Sequence, residues 1–114
     1  MPTLRESTTA VVARGEPITD GYCSEPYEAG WAVEAILFSR LLVPPSNPVR
    51  GQWWVEISPD GIHWVTESPP QPMPLDSEHV VYYRLSHFGN WIRIRVALES
   101  TEPLQLLTTL HLKG

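Results

Sequence analysis

An all-β fold, a single-domain antiparallel β-sandwich of jelly-roll-like form with six to eight strands, is what this sequence predicts. Three observations carry that expectation. Short runs rich in β-branched and aromatic residues recur, with turn signals every ten residues or so. Two of these runs, Trp91–Glu99 and Leu104–Leu112, alternate apolar and polar positions almost throughout, as half-buried strands do. Between two further runs stands Ser58-Pro59-Asp60-Gly61. There Pro59 presets φ for a tight turn, Asp60 can bond its own backbone, and Gly61 tolerates positive φ. At 114 residues, 42% of them hydrophobic and 18% charged, the chain reads as one globular domain able to bury a core without staples.

The elements follow in order. Residues 1–7 are expected to be a flexible N-terminus. Thr8–Ala13 reads as a short strand, and Arg14–Asp20, with Gly15 and Pro17, as a turn. Gly21–Gly30 is polar and irregular. Trp31–Leu42 is open to two readings. Its Ala, Glu, Leu and Arg favour helix, and Tyr27, Trp31, Ala35 and Phe38 fall near helical spacing. The strand reading puts Trp31, Val33, Ala35 and Leu37 on one face and Ala32, Glu34, Ile36 and Phe38 on the other. Strand is preferred, because everything downstream is β and a lone helix needs a partner layer.

Val43–Arg50 holds three prolines and is a loop. Gln52–Ser58 is a strand with Trp53, Val55 and Ile57 facing one way, and Ile62–Glu67 is its hairpin partner. The stretch 68–77 contains Pro69, Pro70, Pro72 and Pro74, which bar it from a helix interior or a central strand. It is expected to cross between sheets. His79–Ser86 is a strand, His87–Asn90 a turn, and Ser100–Pro103 another. In the last two strands Ile92, Ile94, Val96 and Leu98 are expected to meet Leu106 and Leu110 in the core, with Arg93 and Arg95 facing away.

Function classes can be narrowed by what is missing. The chain has 8 Lys and Arg against 13 Asp and Glu, net −5, which argues against nucleic acid or an anionic membrane as partner. Cys23 is the one cysteine, so no internal disulfide is possible, and it reads as a small half-buried residue. No run approaches the length of a membrane span, and Met1–Ala10 lacks the apolar stretch of a signal peptide. Cytoplasmic synthesis is therefore expected. His63, His79, His87 and His111 have no zinc-ligand spacing, and no phosphate loop or dinucleotide fingerprint occurs, so no cofactor and no metal site are expected. Asp60 and His63 lie close in sequence to a candidate nucleophile, Ser58, but no nucleophile elbow surrounds it, and the turn alone explains Ser58, Pro59, Asp60 and Gly61. Glu34 and Glu56 are mid-strand acids, read as solvent-facing. No catalytic residue is assigned.

The aromatics remain. Strand parity turns Trp54 and Trp91 outward, beside Arg93 and Arg95, and splits Tyr82 from Tyr83 between faces. Trp54, Trp91, Tyr82, Arg93 and Arg95 are thus the candidate surface, either as a subunit contact or as a sugar-stacking platform.

The hairpin Ser58-Pro59-Asp60-Gly61-Ile62-His63-Trp64, followed by the Ile92-Arg93-Ile94-Arg95-Val96 strand, resembles small jelly-roll-like modules of tailed-phage virion proteins and of uncharacterised bacterial proteins with a Ser-x-Asp-Gly-x-x-Trp hairpin. The likeness spans about Trp31–Leu112. The Asp-Gly-x-x-Trp part is also similar to the Asp-box hairpin of sialidases, which has a residue between Asp and Gly that is lacking here and which is structural there. The resemblance implies a non-enzymatic structural or assembly role in a larger particle, a phage virion accessory or a bacterial shell component. The expected partner is then another copy of the chain or a host particle, and the expected place the virion. Carbohydrate binding through the exposed rings, with a polysaccharide as partner, is the alternative.

Overall fold

The structure is a computed structural model, and it describes residues 7–74, 78–99 and 102–114. Among them there is no helix. The strands are β1 (Ser7–Ile18), β2 (Tyr27–Glu28), β3 (Glu34–Leu41), β4 (Gly51–Ser58), β5 (Val65–Thr66), β6 (Gln71–Pro72), β7 (Val80–Ser86), β8 (Trp91–Leu98) and β9 (Leu104–Lys113). Six are long and three are two-residue pairings. They form two sheets, β1-β9-β3-β7 and β2-β8-β4-β5, with β6 on the other half of the β4 edge.

The pairing has a simple logic. Leaving β6 aside, the first strand pairs the last, the second the next-to-last, and so inward to the β4–β5 hairpin. That is one long antiparallel ribbon wound over itself, the jelly-roll arrangement of two sheets. All its ladders are antiparallel.

Alternation in the sequence becomes burial in the sandwich. On β8 the inward Ile92, Ile94 and Val96 are each 1% exposed, and they pack with Leu106, Leu110, Leu37 and Val55 between the sheets. On β9 the inward set includes Thr108, whose Oγ1 meets Ser39 Oγ at 2.8 Å. That bond satisfies the two hydroxyls that β3 and β9 place inside. Trp53 is the largest buried side chain, and its Nε1 donates to Pro72 O at 3.2 Å. So the Pro-rich segment caps the core as well as leading from one sheet to the other. It runs from β6, beside β4, to β7, beside β3, as a crossover must. Residues 75–77 of it lie outside the described residues.

The segment with two readings is a strand, β3, with Ala35, Leu37, Ser39 and Leu41 inside. The strand begins only at Glu34, so Trp31 and Val33 lie before it and are 40% and 60% exposed, instead of continuing the buried face. Two other expectations need correction. The supposed turn Arg14–Asp20 is largely strand: β1 runs to Ile18, and Gly15 and Pro17 mark a register shift between Arg14 and Pro17. A bulge uses the same residues as a turn, and only the partner strand tells them apart. The hairpin partner Ile62–Glu67 shrinks to Val65–Thr66, because Ser58–Trp64 forms a wider loop. The expected flexible N-terminus, 1–7, falls outside the described residues except for Ser7, which pairs with Lys113.

Three connections meet at one end of the sandwich. Asn90 N donates to Ser58 O at 3.1 Å, Asn90 Nδ2 to Pro59 O at 3.0 Å, and Ala29 N to Asn90 O at 2.6 Å. The approach is close enough that a Cβ on Gly89 would stand 2.9 Å from Ser58 O.

Candidate functional site

The hairpin turn is built by its own side chains. Ser58 is 1% exposed, and its Oγ accepts from Asp60 N at 3.2 Å and from Gly61 N at 2.8 Å while donating to Asp60 Oδ1 at 3.0 Å. Asp60 Oδ1 also accepts from Ile62 N and His63 N, and Oδ2 meets His63 Nδ1 at 2.7 Å. The donors around it, His63 N–H first, hold the Asp60 carboxyl well below the usual carboxylate range. Gly61 takes φ 77°, and a Cβ there would meet the Trp91 ring at 3.3 Å. The polar groups that resemble a catalytic set are thus engaged in shaping a turn.

The candidate surface residues fall on two opposite faces. Four of the five, Trp54, Trp91, Arg93 and Arg95, lie on the outer face of the β2-β8-β4-β5 sheet. The register sets Trp54 opposite Arg95, Glu56 opposite Arg93 and Ser58 opposite Trp91. Tyr82 lies on β7 in the other sheet, and points outward from it. Tyr83, its neighbour, packs on the core.

On the first face the rings cover a buried ion pair. Glu56 is 8% exposed, which corrects its expected solvent-facing position. Its Oε1 accepts from Arg93 Nε at 2.7 Å and meets Arg93 Nη2 at 2.7 Å, a two-pronged contact. Its Oε2 accepts from Trp54 Nε1 at 3.2 Å. The Arg93 guanidinium sits 4.0 Å from the centre of the Trp64 ring. Trp54, Trp64 and Arg93 roof the carboxylate, and the pair neutralises itself. Beside it Arg95 Nε is buried and has no hydrogen-bond partner among the described residues. Cys23, expected half-buried, is exposed and bridges to Arg95 through the backbone. Trp91 is half-buried under the hairpin turn.

On the second face the registers of four strands align residues in rows. Tyr82, Phe38, Thr109 and Val11 form one row, Val80, Arg40, Leu107 and Arg14 the next. On the other side come Arg84, Ile36, His111 and Thr9, and beyond them Ser86, Glu34, Lys113 and Ser7. The Phe38 ring lies 6.1 Å from Tyr82 and meets His111 edge-on at 5.2 Å. The Arg84 guanidinium is 5.1 Å from the Tyr82 ring centre. A shallow cavity of about 360 Å³ opens between Ile36, Arg84, His111 and Lys113. Tyr82 and Val80 are 51% and 52% exposed, so this face, not the Trp face, leaves large apolar side chains in water. Sequence reasoning missed it because its rows join strands distant in the chain.

No group of three or more His, Cys, Asp and Glu that could hold a metal occurs among the described residues. Among the described residues no helix is long and apolar enough to cross a membrane.

No family model matches the chain, and no curated protein matches it. Solved structures do. The fold covers 100% of this chain and 98% of the SPBc2 prophage-derived protein YomS, with TM-score 0.68 and 9% identity. It covers 91% of this chain and 69% of the K2 cleaved adhesin domain of Lys-gingipain, with TM-score 0.59 and 10% identity. It covers 96% of this chain but 32% of the infectious bursal disease virus VP2 subviral-particle protein, with TM-score 0.58 and 9% identity. At such identities the likeness is one of fold, and the Ser-x-Asp-Gly-x-x-Trp motif is not shown to be shared.

Proposed function

We propose that this chain is a non-enzymatic structural or assembly subunit of a larger particle of the phage or virus kind. The observation that supports it best is the end-to-end match in fold and size to a prophage-derived protein, 100% of one chain on 98% of the other. The match to a part of a viral capsid protein points the same way. The chemistry agrees with it. Ser58, Asp60 and His63 are bound into a turn, and Glu56 is neutralised by Arg93. The carbohydrate reading has less support, because Trp54 and Trp91 are half-buried, the first bonded through its Nε1 to Glu56 and the second under the hairpin turn.

The test is physical association. Particles from the producing culture, banded on a density gradient and washed, are assayed for this chain by quantitative mass spectrometry. A fixed copy number per particle supports the proposal. A chain found only in the soluble fraction, with particles present, overturns it.

A further inference from the structure

The outer face of the β1-β9-β3-β7 sheet is charged against the sign of the whole chain. The chain carries 13 Asp and Glu and 8 Lys and Arg, net −5. Its rows hold Arg14, Arg40, Arg84 and Lys113, half of those cations, against Glu34 as their one acid. Amid them lie exposed Tyr82 and Val80. Such a face repels its own copy placed against it, since like charges across an interface are costly. It calls for a partner that is apolar at its centre and acidic around it.

The same chain presents such a surface elsewhere. Ile62 is 75% exposed, the most of any large hydrophobic among the described residues, and Val65 is 59% exposed. Both belong to the β4–β5 hairpin, and Asp60 and Glu67 flank them. The Asp60 carboxyl is held ionised by its turn. The hairpin tip therefore matches the basic sheet face in both polarity and charge.

We propose that the β4–β5 hairpin of one copy docks on the outer face of the β1-β9-β3-β7 sheet of the next. Ile62 and Val65 sit against Tyr82, Val80 and Phe38, with Asp60 and Glu67 facing Arg40 and Arg84. This rests on the assembly role proposed above, and specifies its geometry. Two different surfaces meet, so the contact is heterologous and propagates as a ring or a filament. Four strands about 4.8 Å apart and four rows about 6.7 Å apart give the face roughly 500 Å². The contacts named cover about two strands and three rows of it, roughly 200 Å², so about 400 Å² is buried counting both partners, below the range of specific pairwise association. A single contact is then weak, and repetition in a closed or extended array supplies the stability.

Sedimentation velocity on the full chain tests this, from about 1 to about 200 µM, in about 0.05 M and about 0.5 M salt. The wild type should grow in mass with concentration and lose about tenfold in association at the higher salt. A face variant (Arg40→Glu with Arg84→Glu) and a hairpin variant (Ile62→Ser with Val65→Thr) should each stay monomeric. Mixed, they should form a one-to-one dimer, because each keeps the half the other lacks. A wild type monomeric at every concentration overturns the proposal, as does association that survives both variants. So does a mixture that stays monomeric although both variants keep the wild-type circular dichroism. A monomeric wild type that binds polyglutamate in a salt-sensitive way would assign the face to an external polyanion instead. A monomer that is nevertheless found on banded particles defeats this contact alone. Self-association by a chain absent from particles defeats the assembly role alone.

Discussion

Replacing Arg93 by Met probes the buried ion pair with little change in volume. The side chains of Arg93 and Glu56 are 18% and 11% exposed, so water reaches them poorly. Without the guanidinium, the Glu56 carboxylate keeps Trp54 Nε1 as a donor and loses the rest. Breaking a buried pair costs about 3–5 kcal/mol when the remaining charge stays dry. The residual exposure admits some water here, and Met preserves the aliphatic packing, so about 2–3 kcal/mol is expected from the charge. Loss of the cation over Trp64 adds about 0.5–1 kcal/mol. With a urea dependence of about 1.5 kcal/mol per molar, a loss of about 3 kcal/mol lowers the unfolding midpoint by roughly 2 M. Urea titration followed by Trp fluorescence reads this directly. Arg93→Met with Glu56→Met should recover most of the loss, because two apolar residues leave no orphan charge. A single variant that loses less than about 0.5 kcal/mol, or a double variant that loses the sum of the singles, would refute the role given to this pair.

Three further outcomes follow from the same geometry. Ile94→Ala opens a cavity among residues 1% exposed or less, and should cost about 2–5 kcal/mol by urea midpoint; a change under about 1 kcal/mol would place Ile94 outside the core. Gly61→Val forces a branched residue to φ 77° against the Trp91 ring, and should cost about 1–3 kcal/mol, whereas Ile62→Val beside it should be almost neutral. Asp60 binds its proton less readily folded than unfolded, so its contribution is complete above about pH 4 and fades as pH falls through that value toward the lower folded one. Midpoints measured between about pH 2 and pH 6 should show that fall, and Asp60→Asn should flatten it.

The sequence carried the local physics well. Alternation along Trp91–Leu98 and Leu104–Lys113 set their inner faces without ambiguity, because a one-residue slip would expose every aliphatic side chain. Ser58-Pro59-Asp60-Gly61 announced its turn through residues that each had a separate reason to be there. What depended on partners was not legible. Gly15 and Pro17 read as a turn until β9 lay beside them and made a bulge of the same residues. Glu56 read as solvated until Trp54, Trp64 and Arg93 closed over it. Tyr82 was grouped with Trp54 and Trp91 because all three point outward. Only the pairing of β7 with β3 puts it on the opposite sheet. The cationic face is assembled from strands up to a hundred residues apart, and no local window contains it.

The nested pairing also sets an order in time. A chain made from its N-terminus has β1 first and its partner β9 last, since Ser7 pairs with Lys113. At about 5–20 residues per second, β1 waits roughly 5–20 s on the ribosome for the strand that completes it. During that wait its ladder partner β9 does not exist, while the β4–β5 hairpin can already close. Each later strand then finds an earlier one waiting, and the ribbon winds from its tip outward. The break in ladder register at Arg14–Pro17, where Gly15 and Pro17 stand, makes the waiting strand a poor template for a wrong partner. The bulge that made the end of β1 read as a turn thus protects the chain in the interval before it folds.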